Sequence, residues 1–321
     1  MKFPKYSFVL PAFKATFLRE ALISILNQTY KDFELIIVND ASPEDLNSIV
    51  DSYHDERIQY YINEKNVGGH DLVAQWNSCI SYAKGKYLIL ASDDDVYHLD
   101  FLEKMDVLID KYPNVNVFRP RVQHMDANGH VRGESDFLDE YLSQIDFLYE
   151  RYKGKVSSGL QYHIFNRNEL VNIGGFVNFP TGWLSDDATV IRLAKNGVVS
   201  HKEALFAFRT SGLNISSKIN DSKLMYYKLV ALECFYQWFE REIGDIEVAG
   251  EDDRKKIASI VSNHSRNVML EHMEGVIQGS DLRAVLQCWF IIHRIKSLSI
   301  LERMAICCRV YKRKVINKLR K

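Results

Sequence analysis

Four apolar runs of strand length, separated by three helical patterns, fill the first 91 residues, and that alternation leaves the chain few folds to adopt. Residues 7–10 are stopped by Pro11, residues 33–38 end at Asn39-Asp40, and residues 57–62 and 86–91 complete the set. Between them, Thr16 can cap a helix that places Phe17, Ala21, Leu22, Ile25 and Leu26 on one face. Ser42-Pro43-Glu44-Asp45 supplies a cap, a proline at the first position and acids in the first turn of a second helix. Residues 70–83 read as a third. Strands and helices alternating at this spacing predict an α/β domain with a doubly wound, mainly parallel (mixed) sheet flanked by helices. The strands are apolar nearly throughout, as they must be when both faces of the sheet are covered.

The fourth run, Lys86-Tyr87-Leu88-Ile89-Leu90-Ala91, passes through Ser92 into Asp93-Asp94-Asp95. Adjacent carboxylates repel by about 1 kcal/mol per close pair even in water. A cation relieves that repulsion, and the hard ions Mg²⁺ and Mn²⁺ prefer carboxylate oxygens and share themselves with phosphates. In open α/β sheets the ligand crevice lies beyond the carboxyl ends of the strands, where this cluster falls. A solvated acidic turn capping the helix that starts near Leu99 is the competing reading.

Further on, residues 99–112 form a helix closed by Pro113, and residues 115–118 a strand. Asp126-Ala127-Asn128-Gly129 is a hairpin turn. Residues 134–158 are polar and irregular, and 160–165 alternate as a strand does. Residues 186–196 read as a helix ended by Gly197, and 198–209 as one or two last strands. After about residue 215 the character changes to long helical patterns over 223–242, 254–277, 282–295 and 301–319. The expected division is 1–217 for the α/β domain and 218–321 for a helical region, with the boundary in the polar stretch 215–222.

With 46% hydrophobic and 12% aromatic residues the chain can build a real core, and a formal net charge of −1 offers no overall attraction to nucleic acid. No run of about 18 apolar residues is present, so no transmembrane helix is expected. Residues 1–6 lead straight into strand-like sequence, without the pattern of a signal peptide. Five cysteines without CxxC spacing read as reduced thiols of a cytoplasmic protein. The last helix carries eight basic residues and one acidic one between 302 and 321, interleaved with Ile306, Val310, Val315, Ile316 and Leu319. Such a helix can lie on the anionic inner face of the cell membrane, or pack by its apolar side and be solvated on the other.

Several motifs stand in a fixed order: Phe8-Val9-Leu10-Pro11-Ala12-Phe13, residues 21–42 ending in Ile37-Val38-Asn39-Asp40-Ala41-Ser42, Asn66-Val67-Gly68, Asn77, Gly85-Lys86-Tyr87, Ser92-Asp93-Asp94-Asp95, Gly174-Gly175-Phe176, and Ser185-Asp186-Asp187 with Arg192. In that order and spacing, over residues 6–217, the chain resembles family 2 glycosyltransferases of the GT-A fold, including the spore-coat type. The resemblance implies an inverting transferase with a nucleotide-sugar donor, usually UDP-linked, a divalent Mn²⁺ or Mg²⁺, and a glycan or lipid-linked acceptor. It places Asp40 on the nucleotide base with Pro11, Phe13 and Asn66 around it, Asp93 on the ribose side, Asp94 on the metal with Asp95 as its partner, and Asp186 as general base. Asp187 competes for that last role, and a helix-capping Asp is the simpler reading of either.

The chain departs from the family pattern at Asn39, where an aspartate is usual, and at Ser92. Ser211 stands where many relatives have a histidine, and Trp76 where many have an arginine. A non-catalytic nucleotide- or glycan-binding scaffold on the same fold is the alternative.

Overall fold

The computed structural model describes residues 3–156, 159–212, 221–263, 266–278 and 298–319, with residues 292, 293 and 295. Two compact units divide the chain: residues 1–178 with 185–211, and residues 179–184 with 212–321. The expected boundary at 215–222 falls largely outside the described residues, as does the helix expected over 282–295.

The first unit is built on one mixed sheet. Strands β1 (Tyr6–Ala12), β2 (Phe33–Asn39), β3 (Ile58–Ile62) and β4 (Tyr87–Leu90) are parallel. The two-residue strand β5 (Val96–Tyr97) follows β4, and the sheet continues through β6 (Val117–Asp126), β7 (Val131–Glu134), β8 (Tyr141–Leu142), β9 (Ile164–Asn166) and β10 (Val198–Thr210). The order is β3-β2-β1-β4-β9-β6-β10-β5, with β7 on β6 and β8 on β10. β9 runs antiparallel to both β4 and β6, while β6 and β10 are parallel. The sheet is thus mixed, as expected, with its parallel half first.

Side chains alternate across the sheet, as the strand period of two requires. Phe8, Leu10, Leu35, Ile37, Tyr87 and Ile89 enter one core with α1 (Leu18–Leu26), and Val9, Ile36, Val38, Leu88 and Leu90 enter the other. Phe8 packs edge-on against Phe33 and Tyr97, with ring centroids 5.6 and 5.1 Å apart. Both cores are buried, which is why the strands are apolar on both faces.

Several expected elements are shifted. α1 starts at Leu18 and uses no cap from Thr16; Phe17 leaves the helix face and lies under the Arg209 guanidinium, 4.2 Å away. The helix expected from Ser42 shrinks to α2 (Asn47–Val50), because the Ser42 hydroxyl accepts the Glu44 N–H in a turn of its own. α3 (Leu72–Ile80) is capped by Asp71, whose carboxylate accepts the Ala74 N–H at 2.9 Å. α4 (Phe101–Lys111) is followed by β6, which has ten residues rather than four; Pro120 has no N–H to donate and sits where the β6–β10 register slips. The region expected to be irregular contains α5 (Gln144–Tyr152), and α6 (Arg167–Asn172) follows β9. α7 (Ser185–Leu193) runs into a 3-10 turn closed by Gly197 at φ 84°.

The second unit is helical: α8 (Ser222–Gly244), α9 (Glu251–Asn263), α10 (Arg266–Gln278) and α11 (Ile300–Leu319). Asp221 caps α8 by accepting the N–H groups of Lys223 and Leu224. Phe179, brought into this unit by a short excursion of the chain, packs on Phe235 and Trp238 of α8. Ile306 and Val310 of α11 are buried, and Arg309 pairs with the buried Glu274 of α10.

Candidate active site

The carboxyl ends of β1, β2 and β4 carry the first cluster. β1 runs out through Pro11 and Ala12 into an exposed Phe13, 39% accessible. The loop beyond is held from two sides: Ser42 Oγ donates to the Phe13 carbonyl at 2.6 Å, and Asp93 Oδ2 accepts the N–H groups of Phe13 and Lys14 at 2.9 and 2.7 Å. Asp93 therefore first serves as the anchor of the loop that presents Phe13.

Asp40, at the end of β2, organises a second loop. Its Oδ1 accepts from Asn63 Nδ2 and the Val67 N–H at 2.7 and 2.9 Å, and its Oδ2 accepts the Gly68 N–H at 2.7 Å. A side chain at Gly68 would begin 3.0 Å from that same oxygen. Asn66 accepts the N–H of Gly69 and stabilises the turn. The sequence thus brings Pro11, Phe13, Asp40 and Asn66 to neighbouring loops at one end of the sheet.

The three aspartates after β4 are buried, but they do not converge as a cage. Among the described residues no three acidic, histidine or cysteine side chains form a ready metal-binding group. Asp95 accepts the Ser92 hydroxyl and the Arg209 N–H, the latter at 2.8 Å, so its oxygens face its own chain. Arg209, 1% exposed, donates from Nε to the Asp94 carbonyl at 2.8 Å, from Nη1 to the Ala127 carbonyl at 3.2 Å and from Nη2 to Glu20. Burial, then the charge of Asp94, raises the Asp95 pKa to about 7. Asp93 is raised by burial as well, partly offset by Lys14 and the two N–H groups it accepts. Lys14 Nζ lies 3.3 Å from Asp94 Oδ2 and 3.5 Å from Asp93 Oδ1. A carboxylate such as Asp94 is of the oxygen-donor type that hard divalent ions take.

The second acidic cluster opens α7. Arg151, on α5, grips Asp187 with two hydrogen bonds, Nε to Oδ1 at 2.6 Å and Nη2 to Oδ2 at 3.0 Å. Asp186 accepts the Asp187 N–H at Oδ1, 2.9 Å away. Burial, followed by the Asp187 charge, raises the Asp186 pKa to about 7. Both acids border a small pocket with Arg151 and His163. His163 donates from Nδ1 to the Gly159 carbonyl at 2.6 Å, and burial together with the Arg119 charge keeps its ring neutral.

Other motif residues turn out to hold the scaffold. Asn77 accepts the Phe176 N–H at 2.7 Å and donates to the Phe176 carbonyl at 3.0 Å; a side chain at Gly175, φ 88°, would begin 2.4 Å from Asn77 Oδ1. Gly85 lets β4 approach β1, since a Cβ there would sit 2.7 Å from the Ser7 N. Sequence reasoning passed over Lys14 and Arg151 and gave Arg209 no role. Only the helix that carries Arg151 had a signal: Ser143 and Asp146 have N-cap spacing, and Ser143 Oγ accepts the Asp146 N–H in the structure.

The fold is that of the GT-A class. S. aureus TarS 1–349 in complex with UDP-GlcNAc superposes with TM-score 0.62 at 16% identity, covering 97% of this chain and 92% of that one. The mannosyltransferase PcManGT of Pyrobaculum calidifontis, in complex with GDP-Man and Mn²⁺, superposes with TM-score 0.54 at 15% identity over 98% of this chain and 88% of that one. The chain belongs to glycosyl transferase family 2, whose model matches residues 7–179. An uncharacterized glycosyltransferase of Rickettsia prowazekii is 37% identical over 115 residues, 36% of this chain and 35% of that protein. The GalNAc(5)-diNAcBac-PP-undecaprenol beta-1,3-glucosyltransferase of Campylobacter jejuni is 27% identical over 57% of this chain and 59% of its own length. These matches span roughly one third to three fifths of the relatives' lengths.

Proposed function

We propose that the chain is an inverting glycosyltransferase that moves a sugar from a nucleotide-sugar donor, UDP-linked, to a hydroxyl of a glycan or lipid-linked acceptor in cell-surface polysaccharide synthesis. The observation that carries this reading is the meeting of three elements at one end of the sheet: an exposed Phe13 on an anchored loop, the loop gathered by Asp40, and Asp94. Phe13 offers a ring face for stacking a base. Asp40 fixes the 63–68 backbone beside it, and Asp93 fixes the Phe13 loop on the side that the ribose would take. Asp94 would hold Mn²⁺ or Mg²⁺, with Asp95 and Arg209 bracing it; a bound divalent ion supplies Lewis-acid neutralisation of the departing diphosphate. The carbohydrate-linked lipid named for the Campylobacter relative, UDP-GlcNAc in the TarS structure, and GDP-Man with Mn²⁺ in PcManGT support the substrate class.

Asp186 is the general base in this reading. An acceptor hydroxyl is a weak nucleophile, and a positioned carboxylate that takes its proton is worth typically ~10²–10⁴ in rate. Arg151 holds Asp187 bidentately, which makes Asp187 the support and Asp186 the proton acceptor. Direct attack opposite the leaving group inverts the anomeric centre and asks for no enzyme nucleophile. Burial, with the Asp187 charge second, raises the Asp186 pKa to about 7, near working pH, where a base is most effective.

The acceptor would be met at the inner face of the membrane. On α11 the residues Ile300, Leu301, Met304, Cys308 and Tyr311 form one exposed face, and Arg303, Arg309 and Lys312 lie on the same helix. No helix among the described residues is long and apolar enough to cross a membrane. Vesicles containing anionic lipid should retain the full chain and release one truncated at residue 299; equal retention of both would remove the membrane contact.

A donor screen tests the whole reading. UDP-sugars with Mn²⁺ should raise the melting temperature, since a ligand that binds only the folded state stabilises it, and one of them should be turned over. Stabilisation by donor with no turnover for any donor and acceptor would instead identify a scaffold.

A further inference from the structure

The acidic cluster after β4 already contains a cation of the chain's own. Lys14 stands one residue beyond Phe13, and its backbone N–H is bound by Asp93 Oδ2. From that fixed point its side chain turns back, so that Nζ lies 3.5 Å from Asp93 Oδ1 and 3.3 Å from Asp94 Oδ2. The two carboxylates are 7% and 8% exposed at their side chains, and the lysine 29%. The backbone of the residue is therefore anchored while its side chain stays partly exposed. Arg209, the second cation here, is buried and committed through its backbone N–H and guanidinium to Asp95, Asp94 O, Ala127 O and Glu20. A lysine ammonium is a compact point charge on a flexible stem, suited to changing partners, whereas a forked guanidinium with several fixed acceptors is not.

We propose that Lys14 is a resident counter-ion: it neutralises Asp93 and Asp94 while no donor is bound, yields Asp94 to the divalent ion, and turns its ammonium to the diphosphate of the incoming donor. The inference rests on the reading of Asp94 as the metal residue. Charge balance gives it direction. Among the described residues, Asp93, Asp94 and Asp95 face Lys14 and Arg209, and Arg209 is shared with Glu20, so removing Lys14 leaves Asp94 more strongly attractive to a divalent cation. A nucleoside diphosphate brings several negative charges of its own, so the same removal weakens its hold on the site. Metal affinity and nucleotide affinity must then change in opposite directions. A residue that merely supported the loop would weaken both.

Calorimetric titration of the full chain with Mn²⁺ alone, and with UDP in the absence of metal, measures the two affinities. Relative to wild type, Lys14→Gln should bind Mn²⁺ about fivefold tighter and UDP about fivefold weaker, the scale of one partly exposed ion pair. Lys14→Ala, which keeps the N–H that Asp93 binds, should show the same opposed pair of changes and serves should the glutamine variant fail to fold. Lys14→Arg should restore UDP affinity. Unchanged or weakened Mn²⁺ binding in the Lys14 variants, with Asp94→Asn losing Mn²⁺ binding as the parent reading requires, would overturn the role of Lys14 alone. Undiminished binding of Mn²⁺ with UDP in Asp94→Asn would instead overturn the metal reading beneath it.

Discussion

The two acidic clusters of the α/β unit solve the same electrostatic problem in different ways. After β4, the carboxylates are distributed: Asp93 to two backbone N–H groups, Asp94 to Lys14, Asp95 to Ser92 and Arg209. At the start of α7 one cation is concentrated on one partner, Arg151 on Asp187, and Asp186 carries the burden as a raised pKa. Spreading the charge leaves Asp94 facing the partly exposed Lys14. Concentrating it yields a pair of unlike acids, Asp187 gripped by Arg151 and Asp186 with its pKa raised to about 7. Adjacent carboxylates are thus not one motif but two devices, distinguished by which cations the fold sends to them.

The largest expected effect separates the members of the second pair. Asp186→Asn should lower kcat by about 10²–10⁴-fold with UDP affinity unchanged, as steady-state kinetics and calorimetry would report. Asp187→Asn should instead cost folding stability, and a kcat loss confined to Asp187→Asn would exchange the two roles. Next comes Arg209→Met: removing a buried cation from its carboxylate and carbonyl partners should cost about 3–5 kcal/mol in chemical denaturation. A cost below 1 kcal/mol would mean that the cluster after β4 does not depend on it.

The pH dependence sharpens the contrast further. Asp186 must be ionised to accept a proton, and its pKa is raised to about 7, so kcat should fall as pH drops below that value. Arg151 lowers that pKa by its charge, so Arg151→Gln should move the acid limb of the profile to higher pH, by about one unit. An unmoved limb would detach Asp186 from the rate. The smallest effect is expected at Asp40→Asn, where an amide NH₂ replaces one accepting oxygen opposite a backbone N–H; the loss should be about 1–3 kcal/mol of stability, with a weaker hold on UDP.

Much of this was legible in the chain because the strands carry their own signature. Runs such as Phe8–Leu10 and Leu35–Val38 are apolar on both faces only because both faces are covered, and the aspartates at their ends follow from where those strands stop. The helices were less legible where polar side chains chose local partners: Ser42 turned its hydroxyl to Glu44 rather than capping a helix, and Phe17 went to Arg209 rather than to the core. The least legible features were long-range pairings. Nothing in the spacing announces that Arg151 meets Asp187 from 36 residues away, or that Arg209 reaches back 115 residues to the carbonyl of Asp94. Lys14 was hidden differently: its charge is visible, but its closeness to Asp94 depends on Asp93 having anchored the loop first.

Crystals of the full chain soaked with Mn²⁺ and UDP test the account most directly. Anomalous scattering should place manganese against Asp94 and the diphosphate, with the base over Phe13 and beside the loop gathered by Asp40. Manganese absent from Asp94, or UDP bound away from these two loops, would contradict it.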